Sequence, residues 1–240
     1  MTKLKSKANE SKEYINSMFN NIAKKYDLLN NLMTFGFHNK WKEETIKLSL
    51  MEIKDPRNAL DLCSGTTDIA IILNKYSPNT EIICMDNSQN MLKTANQKIK
   101  KYNIKNIELI VGDSENLSFI PNAFNLITIG FGLRNLINRD IFISNIYNLL
   151  DKNGVFACID LGHPKNSFWK EIYYFYFYKI IPLLGYVFAK NKEAYTYLPE
   201  SLKTWYEQEE FKDKLLSKGF KKCFYKDILG GVIAIHLAVK

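Results

Sequence analysis

The stretch NALDLCSGTTDIAIILNKYSPNTEIICMD, residues 58–86, decides the fold. An apolar run over 58–63 enters a turn with one glycine, Gly65, and a helical stretch follows over 67–76. A second apolar run over 80–86 then completes a strand–helix–strand unit. The rhythm continues in IELIVGD (107–113), FNLITIGF (124–131) and GVFACIDLG (154–162), with helices over 88–101 and 139–150. Several strands are apolar almost throughout, as in a sheet covered by helices on both faces. Five such units in succession predict a doubly wound, mostly parallel α/β sheet of Rossmann-like type with right-handed crossovers.

Outward from that core, both flanks have their own pattern. Ile15, Met18, Phe19 and Ile22 form one apolar helical stripe, and Trp41, Thr45 and Leu48 mark a second helix over 38–50. The segment between them, YDLLNNLMTFGFHNKW, is Asn-rich and broken by Gly36, which suggests a link. After residue 162 comes SFWKEIYYFYFYKIIPLLGYVF, too interrupted by charge and proline for a membrane span. It suits a helix packed on the sheet, or a helix pair that walls an apolar pocket or touches a membrane surface. A helix over 207–218 precedes KCFYKDILGGVIAIHLAVK, whose Gly230-Gly231 pair signals a closing hairpin. The expected organisation is one domain over 1–240. It divides into a helical lid (1–56), a cofactor-binding core (57–162), a helical insertion on the substrate side (163–206) and a C-terminal helix with hairpin (207–240).

Composition narrows the chemistry. The 240 residues are 46% hydrophobic with 11 Gly, 6 Pro and 4 Cys, which excludes disordered, collagen-like and disulfide-scaffold classes. The cysteines are dispersed, with no metal-ligand spacing to His, so no metal is expected, and a reducing, cytosolic setting is. The net charge of +8 comes from scattered lysines without a nucleic-acid recognition module, so no nucleic-acid partner is expected. Arginine occurs only at 57, 134 and 139 among 33 basic residues. Where lysine is the default, an arginine marks a place for a planar, permanently charged fork.

In open α/β sheets ligands bind beyond the C-terminal strand ends. The first strand end carries Asp61 and Gly65, where a glycine turn lets backbone approach a ligand. The second ends in Asp86, placed for the ribose hydroxyls of a nucleoside, and the third in Asp113 and Ser114. Three acids at one rim repel a polyphosphate, and the turn has one glycine where a dinucleotide fingerprint needs three. S-adenosylmethionine, a nucleoside bearing a sulfonium cation, fits this rim better.

FNNIAKKYDLLNNLMTFGFHNKWK (19–42), DLCSGTTDIA (61–70), GDSENLSF (112–119), FGLRN (131–135) and EAYTYLPES (193–201) together resemble the menaquinone/ubiquinone C-methyltransferase family. The resemblance implies a class I methyltransferase fold that uses S-adenosylmethionine, with Thr66, Asp86, Asp113 and Ser114 at cofactor-contacting positions. It implies a polyprenyl quinol of demethylmenaquinol type as substrate. The alternatives are another small aromatic or lipid acceptor on the same fold, or a binding protein without catalysis. The family turn usually reads Gly-Thr-Gly-Asp, whereas this chain has Gly65-Thr66-Thr67-Asp68. Thr67 is strained if its φ is positive and costs little if it is already helical.

Arg134 follows the fourth strand and is expected to polarise a water or the quinol oxygen, with Asn135 fixing nearby hydrogen bonds. Tyr26, in the lid, is expected to meet the sulfonium or the quinol. His38 has two readings: a residue that orients the substrate or, favoured here, an exposed residue at a helix start. A peripheral membrane contact, supported by lysines at both ends of the chain, and a homodimer complete the expected partners.

Overall fold

The computed structural model describes residues 2–181, 183 and 201–240. Five strands form where the apolar runs predict them: β1 (Asn58–Leu62), β2 (Glu81–Asp86), β3 (Ile107–Val111), β4 (Phe124–Gly130) and β5 (Leu150–Leu161). The closing hairpin supplies β6 (Lys222–Ile228) and β7 (Ile233–Val239). All seven share one sheet in the order β3-β2-β1-β4-β5-β7-β6. The first five pair in parallel, whereas β7 runs antiparallel to both β5 and β6. Chain order reverses between β1 and β4, so their C-terminal ends open the crevice in which doubly wound sheets bind ligands.

The sheet core is dry. Leu60, Leu62, Ile127, Ile129, Phe156 and Ile159 are fully buried. The helices that cover it follow their apolar stripes. In α4 (Asp68–Tyr76) Ile69, Ala70 and Leu73 face inward, and in α5 (Gln89–Lys101) Met91, Leu92, Ala95 and Ile99 do so. Ser88 caps α5 by accepting from the Met91 N–H, a bond of the kind worth about 1 kcal/mol. Three lysines in its last turn complement the helix dipole. α6 (Arg139–Leu149) packs on β5.

The N-terminal region corrects one expectation. The segment taken as a link is helical over Tyr26–Thr34 (α2), between α1 (Thr2–Ile22) and α3 (Phe37–Glu52). Its asparagines sit on a helix because Leu29 and Met33, four residues apart, pack inward. Gly36 does break the chain there, with φ 76° next to Phe35 at φ 52°. α1 packs on α5, and α3 on α4, β5 and β7, so these helices lie against the sheet rather than apart from it.

Beyond β5, α7 (Ser167–Phe175) continues into one π-helical turn, Tyr176–Ile180. Tyr173, Phe177 and Ile181 point inward, while Phe168, Ile172 and Phe175 are exposed. α8 (Gln208–Ser217) packs on the hairpin. Among the described residues no helix is long and apolar enough to cross a membrane. Most of the EAYTYLPES motif and the end of the aromatic run lie outside the described residues. All four cysteines are free; Cys63 stands one residue past β1, and Cys223 lies within β6.

Candidate active site

The turn after β1 is tight and strained. Gly65 has φ 54°, but Cys63 (φ 50°) and Thr67 (φ 65°) share the left-handed region without being glycine. Phe131, just past β4, does the same at φ 57°. Such outliers cost about 1–3 kcal/mol each and collect at functional sites. The question posed by Thr67 is thereby answered: its φ is positive, so the β-branched side chain is strained. Its hydroxyl donates to the Thr66 carbonyl at 2.7 Å, which satisfies a fully buried side chain. Gly132 is needed for close approach, since a Cβ there would stand 2.5 Å from Cys63 Cβ.

This turn positions Asp86. The Gly65 N–H donates to Asp86 Oδ2 and the Ser88 N–H to Oδ1, both at 2.8 Å. Burial pushes this carboxyl up, and the two amides oppose that shift. A cleft opens here, lined by Gly65, Asp86, Ser88, Asp113, Gly130 and Asn135. Its cover is α1, which contributes Ile15 and Phe19. Lys12 of α1 reaches across to Asp113 at 2.9 Å and Glu115 at 2.6 Å. Asn20 fastens the same helix by accepting from Ser88 Oγ at 2.8 Å.

A second cavity lies beside the first. Its wall is mainly apolar: Met18, Ile22, Leu29 and Met33 from the N-terminal helices, and Tyr173, Phe177 and Ile181 from the segment after β5. Phe19, Tyr26 and Phe131 line both cavities. The Tyr26 ring stands against Gly65, with Cε1 3.8 Å from where a Cβ would be. Burial raises the Tyr26 phenol above its usual range, so the hydroxyl stays protonated.

Arg134 enters the apolar cavity from the turn after β4, nearly buried. Its Nη1 donates to Asp160 Oδ1 and to the Phe131 carbonyl, each at 2.6 Å, and its Nε to Ser201 Oγ at 3.2 Å. Asp160 escaped the sequence reading, although an acid near the end of β5 continues the pattern of the other strands.

A smaller recess between β1 and α4 holds Asp61, Thr66, Asp68 and Lys42. Asp61 Oδ1 accepts from Thr128 Oγ1 at 2.7 Å, while the buried Oδ2 has no partner among the described residues. Burial pushes this carboxyl up to about 7. Against the desolvation that would raise it, Lys42 and Lys98 hold Asp68 well below the usual carboxylate range. The Thr66 hydroxyl turns to Asp27 Oδ1 at 2.6 Å.

Of the expected cofactor residues, Gly65, Asp86 and Asp113 therefore meet on the cleft. Asp61 and Thr66 occupy the adjoining recess, and the Ser114 hydroxyl is buried behind Cys63, whose Sγ donates to it at 3.4 Å. Of the expected catalytic residues, Asn135 is on the cleft, Arg134 in the apolar cavity and Tyr26 between them. His38 corrects the reading as an exposed helix start: it is 3% exposed and lines the apolar cavity. The signal was there, because His38 shares the inward helical face of Trp41 and Thr45.

A seven-stranded doubly wound sheet with this crevice is the class I methyltransferase fold. The same fold appears in a SAM-dependent methyltransferase of Thermotoga maritima, described as a possible histamine N-methyltransferase. Its TM-score is 0.64 at 14% identity, over 93% of this chain and 99% of that one. The pattern of the ubiE/COQ5 methyltransferase family matches residues 5–240, and the chain belongs to that family. It is 37% identical over 241 residues to the ubiquinone/menaquinone biosynthesis C-methyltransferase UbiE of Rickettsia bellii, covering 98% of this chain and 96% of the relative. It is also 37% identical over 236 residues to the demethylmenaquinone methyltransferase of Staphylococcus carnosus, with the same coverages.

Proposed function

We propose that this methyltransferase moves the methyl group of S-adenosylmethionine to a ring carbon of a demethylmenaquinol-type polyprenyl quinol. The observation that carries this reading is the pair of cavities, one acidic and one apolar, that share Phe19, Tyr26 and Phe131.

The acidic cleft suits the cofactor. Two backbone amides aim the Asp86 carboxylate, whose remaining lone pairs can accept from ribose hydroxyls. Gly65 leaves room for a ligand to approach the turn backbone. Asp61 Oδ2, buried without a partner among the described residues, suits the ammonium of the methionine end. When bound, S-adenosylmethionine supplies an electrophilic methyl group on a sulfonium.

The apolar cavity holds the quinol ring, and its walls exclude water from the start of the prenyl tail. A quinol carbon becomes nucleophilic as its neighbouring hydroxyl gains phenolate character. Arg134, held by Asp160 and the Phe131 carbonyl, keeps a permanent positive charge beside that oxygen and lowers the cost of the developing anion. It cannot itself take a proton, so the one that the methyl group replaces on the ring carbon leaves to water. Tyr26 and Phe131 fix the distance between the reacting groups, which is mainly a positioning task. Asn135, on the cleft side of the same turn, steadies polar groups there.

The outer face of α7 carries Phe168, Ile172 and Phe175, exposed at helical spacing, while the inner face lines the cavity. This arrangement supports peripheral docking on an anionic lipid surface from which a prenylated substrate is drawn. Co-sedimentation with anionic vesicles at low salt, lost in Phe168→Ser/Phe175→Ser, is the expected result; protein wholly in the supernatant counts against it.

Mass spectrometry of the product from methyl-labelled cofactor and short-chain demethylmenaquinol tests the reaction itself. Label on the ring carbon is expected; an unlabelled ring or a label on oxygen refutes the reading.

A further inference from the structure

The wall of the apolar cavity carries six titratable side chains among the described residues: Tyr26, His38, Lys42, Arg134, Tyr173 and Tyr176. Lys42 is paired with Asp68 at 2.7 Å, and Arg134 with Asp160 at 2.6 Å. Burial raises all three phenols, so they remain protonated, and Tyr176 donates to the Met33 carbonyl at 2.9 Å. His38 is different. Its Nε2 lies 3.1 Å from Asn31 Oδ1, an acceptor, so Nε2 carries the hydrogen and Nδ1 holds a lone pair. Nδ1 is buried and has no partner among the described residues. Desolvation, aided by Lys42 against the opposing pull of Asp68 and Asp27, pushes the imidazole down to about 4. The ring is thus neutral at physiological pH.

An unmet acceptor in an apolar wall disfavours the empty site and rewards a ligand that donates to it. The reduced acceptor carries ring hydroxyls, which donate; the oxidised quinone carries only carbonyl oxygens, whose lone pairs would face the Nδ1 lone pair. We infer that His38 selects the reduced acceptor, with Nδ1 accepting a hydrogen bond from a ring hydroxyl and thereby excluding the quinone. This rests on the quinol reading above and adds a redox filter to it. A site made for a donor rejects an analogue without one far more strongly than an apolar slot can. The same bond shifts electron density onto the hydroxyl oxygen and, through it, onto the ring carbon to be methylated.

The test uses the full chain and three soluble probes with a short tail: demethylmenaquinol, the matching quinone, and the dimethyl ether in which both hydroxyls are capped. Quenching of Trp41, which lines the cavity, reports binding without requiring turnover. The wild type is expected to bind the quinol roughly 10–100-fold tighter than either other probe. In His38→Ala the preference falls to near unity because quinol binding alone weakens. His38→Asn, which offers an oxygen near the Nδ1 position, recovers part of it. Equal binding of quinol and ether by the wild type overturns the inference without any variant, and so does a preference unchanged in His38→Ala. Failure of the quinol reading has a separate signature: no probe binds and no ring is methylated, and the inference falls with it.

Discussion

The acidic cleft and the apolar cavity share three residues, yet they are built in different ways. The cleft is made by strand ends. Its turns are held by backbone hydrogen bonds, and its key carboxylate, Asp86, is aimed by two amides. The cavity is made by helix faces that meet only in the folded chain: α1 and α2 on one side, α7 and its π-turn on the other. The cleft therefore tolerates few changes in backbone geometry, whereas the cavity depends on side-chain volume and on a few buried charges. On the proposed reading, the cofactor takes the first kind of site and the acceptor the second.

The sharpest way to break that division is at Arg134, which grips Asp160 within the cavity wall. Arg134→Ala leaves Asp160 as an uncompensated buried charge and should cost about 3–5 kcal/mol of stability, measured by denaturant unfolding. It should also cut kcat while the affinity for S-adenosylmethionine survives. Arg134→Met/Asp160→Leu should regain most of the stability but not the turnover. Full activity in either variant would remove Arg134 from the chemistry.

Asp61 tests the recess between the two. Its folded carboxyl is raised to about 7 from 3.8, so the stability that goes with its proton is fully present below about 3.8 and is lost as pH rises through 7. Asp61→Asn keeps the shape without the charge. It should stabilise the free protein at pH 8 by about 1–3 kcal/mol and change little near pH 4, as thermal unfolding at the two values will show. Calorimetry should find weaker cofactor binding in the same variant. Equal stability at both pH values would mean that the carboxylate is not buried unpartnered.

The smallest effect is expected at Thr67. Thr67→Gly relieves a positive φ and should stabilise by about 1 kcal/mol in chemical denaturation, less what the lost side chain contributed. A clear destabilisation would show that the threonine hydroxyl and methyl matter more than the strain.

The same contrast explains what was legible in the sequence. The five parallel strands, the closing hairpin and the helices between them follow from apolar period and turn residues, which act locally. That Gly65, Asp86 and Asp113 would share one rim was legible because strand ends in this topology converge on one crevice. Thr66 and Ser114 point elsewhere because neighbours distant in sequence, Asp27 and Cys63, engage their hydroxyls. α2 was hidden by its asparagines, whose weak helix propensity is overridden by packing of Leu29 and Met33. His38 and Asp160 gain their meaning only from partners brought by the fold: Asn31 a helix away, and Arg134 on a neighbouring strand end.

Two titrations on one variant test the division of labour most directly. Met33 lines the apolar cavity and not the cleft, so Met33→Trp should fill part of the acceptor space. Calorimetry should find demethylmenaquinol affinity reduced at least tenfold with S-adenosylmethionine affinity within about twofold of wild type. Equal losses for both ligands, or no loss for the quinol, would contradict the assignment of separate cavities to cofactor and acceptor.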